Sequence, residues 1–256
     1  MNCQTAGINP FFQSADDIYS TLSGEFTLGR EGIRKIFFYG AGCANPEKKA
    51  LLSSVLKNFF EVSSVEVESD LLAAARSLCG HSEGIAAILG TGSNSCYYDG
   101  VNIKQHVSPL GFILGDEGSG AVLGRKLVAD FLKNQAPEHL QVSFEKTFGQ
   151  TTAEILESVY RKPFPNRYLA SFTPFLSKHI SDGFVYQLVK SSFKEFFNRN
   201  IAQYPRAQSL PVHFTGSIAW HFEGVLKEAA HDCGFTIGKI IKDPMLGLIE
   251  FHKFYN

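Results

Sequence analysis

The stretch Gly84-Ile85-Ala86-Ala87-Ile88-Leu89-Gly90-Thr91-Gly92-Ser93-Asn94 decides how this chain folds. Its unbroken apolar run reads as a buried strand, and the strand empties directly into a glycine-rich turn. Beyond the turn, Cys96-Tyr97-Tyr98 and Val101-Asn102-Ile103 flank Asp99-Gly100, a dipeptide suited to a tight hairpin, so the segment is expected to form a meander. Upstream, residues 33–39 read as another buried strand, ending at Gly40-Ala41-Gly42. A helix fits residues 46–60, with Leu51, Leu52, Val55, Leu56, Phe59 and Phe60 on one face and Pro46 in its first turn. Residues 62–67 read as a strand, and Asp70 then precedes a small-residue helix ending at Cys79-Gly80.

Downstream, Gly111-Phe112-Ile113-Leu114 leads to Gly115-Asp116-Glu117-Gly118-Ser119-Gly120 and a helix through about Lys133. Helical patterns dominate residues 152–204, broken at Pro163-Phe164-Pro165-Asn166 and Ser181-Asp182-Gly183. Residues 211–215 return to strand, Gly216-Ser217 follows, a helix is expected over 218–230, and a strand over 237–241 feeds a terminal helix from about Pro244. Strands alternating with helices predict an α/β fold.

Composition narrows the function. The 256 residues carry 24 Lys+Arg against 25 Asp+Glu, a formal net charge of -1, which argues against a polybasic nucleic-acid binder. Hydrophobic residues at 44% and charged residues at 19% describe a globular chain. Cys3, Cys43, Cys79, Cys96 and Cys233 are scattered and never form Cys-x-x-Cys, so reduced, mostly buried thiols are expected rather than a disulfide framework or zinc ribbon. No apolar run has membrane-spanning length and the first residues carry no signal-peptide pattern, so a soluble, cytoplasmic protein is expected.

Four places offer chemistry, each with a plain structural alternative. Gly90-Thr91-Gly92-Ser93 suits close approach to phosphate, or is simply a hairpin turn; it is neither a Walker loop nor a dinucleotide fingerprint. Gly115 to Gly120 sets two carboxylates and a hydroxyl before a helix. Asp116 or Ser119 would serve as its cap, but three glycines there suggest close packing against a ligand or another backbone. Asp70 is a helix cap or a general base, and Gly216-Ser217 a nucleoside contact or a strand-to-helix turn. His179, His213, His221 and His252 sit singly in different elements and form no metal set, and Trp220 reads as packing.

Taken in order, Asp70, Gly90-Thr91-Gly92-Ser93-Asn94, Gly115-Asp116-Glu117-Gly118-Ser119-Gly120 and Gly216-Ser217 resemble the N-acetylglucosamine kinase family. That family belongs to the sugar kinase, heat-shock ATPase and actin superfamily, together with the BadF/BcrA-type ATPases. The resemblance implies two ribonuclease-H-like lobes with a cleft between them, an N-terminal lobe over 1–82 with 244–256 packing back on it, and a C-terminal lobe over 83–243. It implies ATP-dependent phosphorylation of an amino sugar at its 6-hydroxyl, with Mg2+ arriving on the nucleotide. Asp70 then corresponds to the catalytic base. Gly90, Thr91, Gly92 and Ser93 correspond to a phosphate loop, Gly216 and Ser217 to an adenosine motif, and Asn9, Asn94, Gly115 and Asp116 to sugar contacts.

The family opens with a strand, an Asp-Gly-Gly-Thr-type phosphate loop and a returning strand, which this sequence does not contain. The expectation is an incomplete N-terminal lobe that turns ATP over poorly. A catalytically silent amino-sugar-binding or regulatory protein is therefore the alternative function, while an activator ATPase holding an iron-sulfur cluster is disfavoured by the absence of close cysteine pairs. Sugar and ATP are the expected partners, with a homodimer the default assembly and neither nucleic acid nor membrane involved.

Overall fold

The computed structural model describes residues 2–43 and 45–253. The chain divides into two compact units, residues 1–73 and 74–256, each with its own apolar core.

The first unit holds α1 (Ala15–Glu25), β1 (Lys35–Gly40), α2 (Pro46–Phe60) and β2 (Ser64–Ser69), with β1 and β2 paired in parallel. Helix α2 starts where Pro46 fixes the first turn and the Asn45 side chain accepts the Glu47 and Lys48 N–H groups. Its Leu52, Val55, Leu56 and Phe59 close over Ile18 and Leu22 of α1 and Val67 of β2. Helix α1 was not anticipated from the sequence. Its signal is a reciprocal capping box, in which Ser14 and Asp17 each accept the other's backbone N–H. β2 runs directly into α3 (Asp70–Cys79), and the boundary between the units falls within that helix.

The second unit is built on a five-stranded sheet of β3 (Gly84–Leu89), β4 (Ser93–Tyr98), β5 (Ile103–His106), β6 (Val212–Thr215) and β7 (Ile237–Ile241), in the order β5-β4-β3-β6-β7. The β3-β4-β5 meander is antiparallel, whereas β6 and β7 add in parallel. This mixed sheet is α/β, as the alternation of strands and helices predicts, and has the ribonuclease-H-like arrangement that the family resemblance implies. Central β3 is buried on both faces, which is why it reads as continuous apolar sequence.

Between β5 and β6 lie α4 (Gly111–Leu114), α5 (Gly120–Leu132), α6 (Glu138–Phe148), α7 (Thr152–Tyr160), α8 (Pro165–Ala170), α9 (Thr173–Lys178) and α10 (Gly183–Arg199). Helix α10 turns Val185, Leu188, Val189, Phe193, Phe196 and Phe197 into the core at helical spacing, and Phe196 and Phe197 meet Phe214 of β6. Helices α11 (Ser217–His221) and α12 (Glu223–Asp232) follow β6, and α13 (Met245–Lys253) closes the chain. In α13, Phe251 stacks on His81, and Gly247 lies against Ser77.

Two expectations are corrected. The helix expected over 218–230 is two helices, because Phe222 leaves helical geometry to bury its ring against Phe193. Trp220 is 45% exposed on α11 rather than packed. The five cysteines are unpaired; Cys43 and Cys96 are buried and the others half-buried. No helix among the described residues is long and apolar enough to cross a membrane.

Candidate active site

Three of the glycine-bearing segments meet in the second unit, at the carboxyl ends of β3 and β6. The turn from Gly90 to Gly92 closes on itself through Gly90 N–H donating to Gly92 O at 3.0 Å. The next segment binds it by backbone alone: Gly120 N–H donates to Gly90 O at 2.8 Å, and Ala121 N–H to Thr91 O at 3.0 Å. A Cβ on Gly120 would stand 3.2 Å from Gly90 O, so a side chain there would crowd the turn. From the other side comes Gly216, at φ +118°, where a Cβ would stand 2.3 Å from Leu89 O. Thr91 and Ser217 are exposed, and the Thr215 hydroxyl is buried without a hydrogen-bond partner among the described residues. Carboxyl ends of strands in open α/β sheets are where ligands collect.

Asp116 overhangs this turn. Ser93 N–H donates to its Oδ1 at 3.4 Å, and its carboxylate lies over Gly92. Burial pushes the Asp116 carboxyl up to about 6, the Ser93 hydrogen bond opposes that, and the neighbouring Glu117 charge adds to it. The cap of α5 is Ser119, whose Oγ accepts the Val122 N–H at 3.2 Å, so Asp116 is left to other work. On β4, Asn94 commits its Oδ1 to Ser95 N–H and His106 Nε2, which leaves the Nδ2 hydrogens as donors.

Beside Ser217 a cavity of about 490 Å³ opens, lined by Thr173, Ser177, Lys178, Ser217 and His221 among others. Its volume suits a ligand of nucleoside size. Lys178 was not singled out from the sequence, and His221 was read there only as a lone histidine outside any metal set, because lone polar residues on helices carry no spacing signal.

The first unit carries Asn9 and Asp70. Asp70 begins α3 at the carboxyl end of β2, accepting the Leu71 N–H at 2.9 Å, but the bond that caps the first turn is made by Ser69, whose Oγ accepts the Leu72 N–H. Nearby, the buried Cys43 thiol is pushed up by burial and then by the Asp70 charge, while Lys49 pairs with Glu68. Asn9 rests on the turn after β1. Its Oδ1 accepts Phe11 N–H, and a Cβ on Gly42 (φ +79°) would fall 2.2 Å from that oxygen. Gly42 is thus a further residue on which an expected sugar contact depends.

No family model and no curated protein matches this chain. Among solved structures, it is similar to the "Putative N-acetylglucosamine Kinase" of Porphyromonas gingivalis, with 50% identity and a TM-score of 0.94, covering 98% of this chain and 89% of that one. It also matches a protein of the same description from Chromobacterium violaceum, with 17% identity and a TM-score of 0.68 over 92% of this chain and 83% of that one. At that identity the second match speaks for the fold alone.

Proposed function

Because the chain belongs to the N-acetylglucosamine kinase family within the sugar kinase superfamily, we propose that it transfers the terminal phosphoryl group of MgATP to the 6-hydroxyl of N-acetylglucosamine or a closely related amino sugar. The observation that supports this reading most is the backbone convergence of Gly90, Gly120 and Gly216, which keeps side chains away from a turn that leaves Thr91 exposed. Such a turn is chemically suited to phosphate oxygens and unsuited to carrying a bulky core.

In the proposed reaction Asp70 accepts the proton of the sugar hydroxyl as the O6–P bond forms and the bond from phosphorus to the ADP oxygen breaks. That Ser69 rather than Asp70 caps α3 agrees with such a role. Gly90, Thr91, Gly92 and Ser93 hold the phosphates. Gly216 and Ser217, with the adjoining cavity, hold adenosine, and the orphaned Thr215 hydroxyl lies beside them. Asn9, Asn94, Gly115 and Asp116 contact the sugar, the Asn94 amide hydrogens facing hydroxyl or acetamido oxygens. Mg2+ enters as part of the nucleotide substrate and offsets phosphate charge.

The test is sugar-dependent ADP release together with calorimetry on wild type and Asp70→Asn. Turnover lost in the variant with sugar affinity retained agrees with a general base. Loss of both together makes Asp70 structural, and sugar binding without turnover in the wild type makes the protein a silent amino-sugar binder.

A further inference from the structure

We propose that Glu117 is a positioning residue for this reaction, its buried carboxylate clasped by Arg199 and Asn200 so that the neighbouring left-handed turn presents Asp116 to the acceptor sugar. The inference rests on the reading of Asp116 as a sugar contact.

Glu117 is 7% exposed. A carboxylate so buried needs partners, and it has two: Arg199 Nε lies 2.7 Å from Oε1, and Asn200 Nδ2 donates to Oε2 at 3.1 Å. Arg199 ends α10, and Asn200, itself buried, caps that end. A pair between a buried carboxylate and a mostly exposed guanidinium is a weak source of net stability, because desolvation of Glu117 offsets what the attraction returns. What the pair supplies is direction. It ties residue 117 to the end of α10, while Ser192 of the same helix accepts the Gly118 N–H at 3.2 Å and Phe193 and Phe196 press on Gly118.

Asp116, between these anchors and Gly115, sits at φ +52°, in the left-handed region that side-chain-bearing residues seldom adopt. Its backbone is pinned by Asp116 N–H to Pro109 O at 2.8 Å and by Ser119 N–H to Asp116 O at 3.0 Å. The groups bearing on its carboxyl are the Gly92–Ser93 backbone on one side and Glu117 beside it, and Glu117 in turn faces Arg199 and Asn200. Releasing Glu117 lets the strained turn relax and draws Asp116 away from Ser93.

The experiment compares Glu117→Gln, Arg199→Met, the double variant and Arg199→Lys. The Arg199 side chain is 63% exposed, so replacing it removes no core packing, and Arg199→Lys keeps a cation beside Glu117. Loss of an oriented hydrogen-bonded contact should raise the sugar KM about 5- to 10-fold in each of the first two variants, with the ATP KM changed less than about twofold. The double variant should be no worse than the weaker single, and Arg199→Lys should recover most of the loss. In the substrate-free protein, nitrogen–proton NMR should show the Ser93 amide, which donates to Asp116, exchanging faster in Glu117→Gln and Arg199→Met than in the wild type. A sugar KM unmoved in both singles with an unmoved Ser93 amide overturns the proposal, and so does an equal rise in both KM values with a lowered melting temperature. Should the wild type lack sugar-dependent turnover, the proposed function falls, and the Ser93 exchange by itself decides whether Glu117 fixes the Asp116 side chain.

Discussion

Replacing Asp116 by Asn should make the second unit more stable at neutral pH, and the pH dependence of the gain identifies its cause. The Asp116 carboxyl is pushed from 3.8 up to about 6, chiefly by burial. A folded-state value above the unfolded one means that between pH 4 and 6 the native protein keeps a proton that the unfolded chain releases. Stability therefore falls as pH rises through that window, and the penalty is complete above it. A gap of about 2 pH units is worth at most about 3 kcal/mol, and solvent on the open side of the carboxyl reduces this to about 1–2 kcal/mol. Asn carries no such penalty. At pH 8 the variant should melt about 2–8 °C higher, and at pH 4 the difference should vanish. Trp220 is the single tryptophan and lies in the second unit, so its fluorescence reads the relevant transition. An equal gain at both pH values, or a loss at pH 8, would refute the reasoning. The same substitution should weaken sugar binding, the familiar exchange of stability for function at a binding site.

Other perturbations probe the remaining parts. Gly216→Ala would force a Cβ to 2.3 Å from Leu89 O at φ +118°; it should cost at least about 2 kcal/mol in chemical denaturation and raise the ATP KM more than the sugar KM. Ser119→Ala removes the buried cap of α5 and should cost about 1–2 kcal/mol by the same measurement. Gly42→Ala, which would meet Asn9, should raise the sugar KM, while Gly32→Ala, at a similar φ of +81° but facing open space, should not; matching effects would assign the loss to backbone strain alone.

Much of this was legible because the deciding elements are short and strongly patterned. β3 and α2 were read with their observed ends, the first because it is apolar on both faces and bounded by Gly90, the second because Pro46 opens it and a single stripe lines its core side. The reversal at Asp99-Gly100 was plain too, although Val101 and Asn102, expected as strand, belong to the turn, where their N–H groups donate to Asp99 Oδ1. What stayed hidden depends on partners distant in sequence. That Ser119 and not Asp116 caps α5 is a matter of side-chain reach, and Glu117 gains its meaning only when the end of α10, more than eighty positions away, folds against it. The break at Phe222 likewise follows from an aromatic ring seeking the core, which overrides a locally continuous helical pattern. Helix α1 was missed for a different reason: its signature lies in two polar capping residues rather than in an apolar stripe.

The most direct measurement is the identity of the phosphorylated product, by phosphorus–proton correlation NMR after incubation of the protein with MgATP and N-acetylglucosamine. A phosphate ester on O6 is expected, formed with ADP in equal amount and absent with Asp70→Asn. ADP formed without any sugar ester, or an ester formed equally well by Asp70→Asn, would contradict it.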